Sequence, residues 1–390
     1  MVIAHLIRVG WICFVLAFPV WGEDTAYTMR GFDPRIQRNV DLIYNLRFAE
    51  AERQFKAVIE AEPDNPLGYF FLAMVDWWRV LIDLDDETHD EVFYARLQEC
   101  IEVCDRRLEK DPMDFEAILF KGGAIGFRGR LRGDRSQYLR AARDGLRSLP
   151  LLQKSRQLEP TNKDILFGQG IYHYFAEAMP ERYPAIRPIM LFLPDGDREL
   201  GLRQLEQVAR EGVYARTEAT YFLAQIYRVF EQDKPRALPY FEELYDRYPS
   251  NALFHRYTAR LQVELGRWHL GVPLYEEYLR RTQVGQTGYH RYGRLEAHFY
   301  LGKYEFLKRR YGEAAAHFAA TDSLSALSGR QRDQAYRALA NLFLGQVYDL
   351  QDRRSEAVLC YEQVRKLPDY AESHERAARL LRAPARADGQ

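Results

Sequence analysis

Few side chains in this sequence stand at spacings that chemistry requires. His173 and Glu177 are four residues apart, so a helix brings both to one face at a spacing that suits two metal ligands. No third ligand and no HExxH pattern accompanies them, and an ordinary polar pair accounts for both. The run Asp83-Leu-Asp85-Asp86-Glu87 is acidic enough to attract calcium. It lacks the glycine and the distal glutamate of an EF-hand loop, so it reads as a solvated loop. Gly122-Gly123 with Gly126 has neither a Lys-Ser/Thr ending nor a preceding strand, which argues against a phosphate loop. Arg132-Gly133-Asp134 matches an adhesion tripeptide, a match too short to carry weight. No Gly-x-Ser-x-Gly and no Cys/His nucleophile arrangement occurs. The expectation is a protein that is not an enzyme, with no catalytic residue, no metal and no cofactor.

Charge points the same way. The chain has 390 residues, with 55 Lys+Arg against 56 Asp+Glu, which argues against a strongly basic nucleic-acid binder and against an acidic disordered tail. No nucleic-acid partner is expected. Residues 1–22 carry Arg8, then an apolar run from Val9 to Trp21, then Val20 and Gly22 ahead of Glu23. That run spans roughly 20 Å as a helix, short of the ~30 Å hydrocarbon core, so the segment reads as a cleaved signal peptide. Counting back to Val2 lengthens it enough to leave an uncleaved membrane anchor as the alternative. A periplasmic or secreted location follows from the first reading. Removing the signal leaves Cys100, Cys104 and Cys360, an odd number that completes no disulfide framework.

The elements that position these residues come from a repeat of about 34 residues. Leu344-Gly345-xx-Tyr348 is followed by Ala357, Tyr361 and Pro368. Leu301-Gly302 leads to Tyr311, Ala314 and Phe318, and Leu223-Ala224-xx-Tyr227 to Ala237, Phe241 and Pro249. Ala259, Gly266, Trp268, Gly271 and Tyr275 form another copy, and Phe48, Ala51, Phe55 and Pro63 repeat its second half. Gly122 and Gly170 repeat the first-half small residue, behind Pro112 and Pro160. A small residue on one helix lets the next approach closely, and a proline stops the second helix. Gly345 is expected at such a crossing. Cys100 and Cys104 fall at packing positions of a second helix and read as core.

These residues resemble the tetratricopeptide repeat, a helix–turn–helix unit whose copies stack because each leaves an apolar face uncovered. The resemblance implies an all-α fold, a right-handed α-solenoid of about eight repeats over residues 34–368. A lead-in at 23–33 precedes it, and a capping helix at 369–382 and a flexible tail at 383–390 follow. Three units depart from the pattern between their two helices, at 84–90, 128–136 and 177–197. The third carries Pro180, Pro184, Pro188 and Pro194 around Ile-Met-Leu-Phe-Leu. With Asp197-Arg198 through Leu202 it is similar to the eukaryotic inclusion-body-clearance branch of these proteins, which implies a non-enzymatic protein linked to lipid or aggregate handling.

In that family, set positions of each first helix face the concave groove. By register they are Phe70, Met74 and Trp77, then Phe167, Ile171 and Tyr174, and farther on Arg256 and Arg260, with Phe299, Lys303 and Phe306 beyond. The N-terminal half of the groove reads as aromatic and the C-terminal half as more basic. The alternative is that the aromatics are inter-helix packing, or lie under the proline-rich insertion. The family's clamp for a chaperone's terminal carboxylate is not expected, because its lysine and asparagine positions are occupied by other residues. The expected function is a scaffold binding a protein or peptide segment in the groove or along the inserted edge. The alternative is a lipid-associated adaptor contacting a membrane through 180–194.

Overall fold

The computed structural model describes residues 34–182, 187 and 194–386. The signal segment 1–22, the lead-in, most of the proline-rich insertion and the last four residues lie outside them. Among the described residues there are helices and no strands. The helices pair in chain order: α1 (Pro34–Tyr44) with α2 (Phe48–Ala61), α3 (Pro66–Ile82) with α4 (Asp90–Lys110), and α5 (Phe115–Asp134) with α6 (Tyr138–Leu158). Next come α7 (Ile165–Arg182) with α8 (Arg198–Glu211), α9 (Arg216–Gln225) with α10 (Lys234–Arg247), and α11 (Ala252–Glu264) with α12 (Trp268–Gln283). The series closes with α13 (Arg291–Leu307) and α14 (Tyr311–Ala326), α15 (Gln331–Leu350) and α16 (Arg354–Lys366), and a last helix, α17 (Ser373–Arg382). A π-helical turn, Ile226–Phe230, continues α9. The architecture is an α-solenoid of eight helix pairs and a terminal helix.

Two local devices recur. After four of the second helices a proline is followed two residues later by a capping side chain. Asn65, Asp114, Asn162 and Asn251 accept from backbone N–H groups of Leu67, Ala117, Asp164 and Leu253 at 2.9–3.1 Å. Proline stops one helix and the Asx residue starts the next by satisfying an orphan donor. Inside the pairs, Leu46, Ser136, Gln232, Gly266, Arg309 and Asp352 all adopt left-handed φ between 54° and 77°, each two residues before the second helix. This tight turn is common to six pairs, and only Gly266 fills it with the residue that adopts it without strain.

The turn also corrects the expected insertions. Residues 128–134 are no loop: they lengthen α5, and Ser136 still makes the standard turn. The acidic segment after α3 is a loop, but it is not merely solvated. Asp83 pairs with Arg330 at 2.8 Å and Asp85 with Arg332 at 2.9 Å, from the segment leading into α15. Glu177 through Arg182, including Pro180, finish α7.

Those ion pairs belong to a seam along which the first two repeats dock on the fifth to eighth. Trp78 is fully buried between rings of Tyr44, Tyr221 and Phe254, with centroids 5.2–5.7 Å away. Its indole N–H donates to Glu218 Oε1 at 2.7 Å. Asn251 donates to the Tyr44 carbonyl at 2.8 Å, and the Tyr248 hydroxyl donates to Asp41 at 2.7 Å. Gly288, at φ +84°, approaches so closely that an added Cβ would stand 2.6 Å from Leu46 Cδ1. Apolar and aromatic burial drives this closure, since half-exposed ion pairs contribute little by comparison.

Candidate binding face

Most of the residues expected to face an open groove are packed. Trp77 has no exposed surface and lies against Phe93 and Phe127, with centroids 5.6 and 5.5 Å away, in the core between α3, α4 and α5. Tyr174 is equally buried where α7 crosses α8. There an added Cβ on Gly201 would stand 2.5 Å from the Tyr174 nitrogen. Its hydroxyl donates to Glu231, and the Arg198 guanidinium lies 5.8 Å from its ring centre. Met74 and Phe167 are buried too, while Phe70 and Ile171 are half-buried. Phe70 stacks edge-on among Phe71 and Phe127 and tilts against Phe120. The packing alternative describes these aromatics: helices of the same and adjacent repeats cover the register positions.

The basic half of the groove differs. Arg256 is buried and committed to Glu296 at 3.3 Å. Glu296 has no exposed surface and also accepts from the hydroxyls of Tyr275, Tyr292 and Tyr336 at 3.1–3.3 Å. Arg260 is partly exposed and shared between Glu264 at 2.8 Å and Glu296 at 3.5 Å. Beside them lies Tyr257, which the register did not single out. Its ring has Arg228 at 4.6 Å and Arg256 at 4.8 Å. Burial pushes the Tyr257 phenol up, yet Arg228, Arg256 and Arg260 together bring it down to about 8.

Arg228 comes from the π-helical turn, and its guanidinium is held only by the neutral Gln225 Oε1, at 3.1 and 2.8 Å. Lys303 on α13 is half-buried over Phe299 and Tyr300, 5.9 and 5.7 Å from the ring centres. Burial lowers its amine, as does the nearby Arg376, against a pull from Glu264. Among the described residues, no carboxylate lies within ion-pair distance of Arg228 or Lys303. Sequence reasoning missed Arg228, Tyr257, Trp78 and Glu218. A π turn has no local sequence signature, and Trp78 adjoins the tryptophan that the register selected.

The chemistry first considered is absorbed by structure. Glu177 accepts from the Arg198 backbone N–H at 2.8 Å, at the start of α8, and His173 Nδ1 lies 2.8 Å from Gln204 in the middle of that helix, so both are engaged in packing α7 on α8. Cys100, Cys104 and Cys360 are free and buried. Arg132 pairs with Asp144, and Asp134 with Arg130.

This geometry defines a helical-repeat solenoid, with sites on faces built from successive helix pairs. Residues 191–252, 227–286 and 258–328 match the family model described as tetratricopeptide repeat, so this part of the chain is built of tetratricopeptide repeats. Proteins of this kind are protein-interaction scaffolds. No curated protein matches the chain in sequence. Among solved structures it is similar to the C-terminal part of a TPR repeat-containing protein from Cytophaga hutchinsonii, at 17% identity and TM-score 0.37, over 75% of this chain and 96% of that one. It is similar to human IFIT1 with m7Gppp-AAAA at 13% identity and TM-score 0.44, over 82% and 68% of the two chains. Yeast Tom70 matches at 11% identity and TM-score 0.37, over 90% and 88%.

Proposed function

We propose that this protein is an exported scaffold that binds, without catalysis, a segment of a partner protein on the concave face of repeats five to seven. One observation carries the choice of face. Neighbouring helices cover Trp77 and Tyr174 in the N-terminal part of the groove, whereas Arg228, Arg260 and Lys303 are partly exposed beside aromatic rings. Aromatic and arginine side chains are the usual anchors of interfaces. The apolar segment before Glu23 supports export to a periplasm or beyond.

The test is photo-crosslinking in the native host, with a photoreactive residue at position 303 or, as control, at Leu359, which is 65% exposed on α16. An adduct with a protein from position 303 and none from position 359 is expected, on a chain whose N-terminus is at or near Glu23. Adducts from position 359 alone, or a retained Met1 in the cytoplasm, contradict the proposal.

A further inference from the structure

A basic–aromatic strip runs across three repeats on this face, linked by ring contacts, hydrogen bonds and one turn of α11. Arg228 covers the Tyr257 ring; the next turn of α11 carries Arg260 bonded to Glu264; Glu264 accepts from the Tyr300 hydroxyl at 2.9 Å; Lys303 covers the Tyr300 ring. The cations at the two ends make no ion pair among the described residues, while the middle holds a carboxylate already bonded to Arg260 and Lys234. Two guanidinium groups within 5 Å of one phenol ring repel each other. Glu296 offsets only Arg256 of that pair. A half-buried cation without a counter-charge is costly, and a ligand anion relieves that cost.

We propose that this strip reads an acidic segment of the partner, with spaced carboxylates seated on Arg228 and Lys303 and the peptide passing beside Tyr257. The inference rests on the scaffold reading and names its partner's chemistry. An extended peptide places same-side carboxylates roughly 7 Å apart and can leave a neutral residue opposite Glu264. A single-stranded nucleic acid carries a charge at every nucleotide and would set a phosphate against Glu264, in a protein whose net charge is −1.

The probe is a fluorescein-labelled (Glu-Gly)6 peptide added to the full chain and followed by anisotropy, with (Lys-Gly)6 and a twelve-nucleotide single-stranded RNA as competitors. The glutamate peptide should bind and weaken as salt is raised. Arg228→Gln with Lys303→Gln should weaken it at least tenfold, with the circular dichroism spectrum retained because neither cation makes an ion pair. Absorbance at 295 nm supplies a second readout. One tyrosine, lost in Tyr257→Phe, should titrate near 8 in the free protein and at higher pH when the peptide's carboxylates lie beside it. No binding, an unaffected double variant, an unmoved phenol or preference for RNA each overturns the proposal. If position 303 still crosslinks to a protein in the host while the glutamate peptide is ignored, the scaffold reading stands and the acidic assignment alone falls.

Discussion

Glycine at a helix crossing is where one residue decides whether two helices can meet. At Gly345 an added Cβ would stand 2.4 Å from Tyr361 Cε1, and that ring is fully buried with its hydroxyl donating to Asp349 at 2.9 Å. The ring has nowhere to move. Gly345→Ala should therefore destabilise by about 1–3 kcal/mol. Gly145, inside α6, has no atom within 4 Å of its Cβ position, and Gly145→Ala should stabilise by about 0.5–1 kcal/mol. Urea denaturation midpoints check both, and two neutral variants would contradict the packing. The position of Gly345 was legible in the sequence because the small residue, the large aromatic and the closing proline lie within one repeat. Tyr257 was not, since its surroundings come from different repeats and from a π turn.

At the scale of elements, the seam depends on how α1 and α3 meet α9. Glu218 is buried there, its Oε1 taking the Trp78 N–H and lying 3.5 Å from the Tyr44 hydroxyl, its Oε2 without a partner. Burial pushes its carboxyl up from 4.5 to about 7, against the bonds from Trp78 and Tyr44, which lower it. The protonated group costs the fold nothing below about 4.5, and the stability it represents is lost as pH rises through about 7. His255 works oppositely: burial lowers it to about 4, so its contribution is present above 6.5 and lost as pH falls through 4. Glu218→Gln keeps an acceptor for Trp78 and removes the ionisation. Its stability relative to the unsubstituted chain should improve by about 2–3 kcal/mol between pH 5 and pH 8. Denaturation at the two pH values checks this, and parallel profiles would contradict it. The helices and the prolines that close them were legible here, because the repeat spacing is a local signal; the Asx caps that follow those prolines were not read. The pairing of Trp78 with Glu218 spans 140 residues and leaves no periodic mark.

For the whole molecule, closure is the feature that single-repeat reasoning does not contain. Register assigns a face to each helix, but small rotations summed over eight pairs decide whether that face opens to solvent or meets another repeat. Trp77 and Tyr174, read from the register as groove-facing, are buried by the helices that cross or adjoin their own. That burial is the ground on which we propose the basic strip of repeats five to seven as the binding face. The most direct test of this account is whether repeat two touches the segment leading into repeat eight in solution. A chain beginning at Glu23 with Asp85→Cys and Arg332→Cys, in which Cys100, Cys104 and Cys360 are buried, should be joined by a short bis-maleimide into an intramolecular crosslink at monomer mass. Each single variant should give none. Failure of the pair to crosslink, with both cysteines readily alkylated, would mean that the solenoid is open and that the first two repeats do not dock on the fifth to eighth.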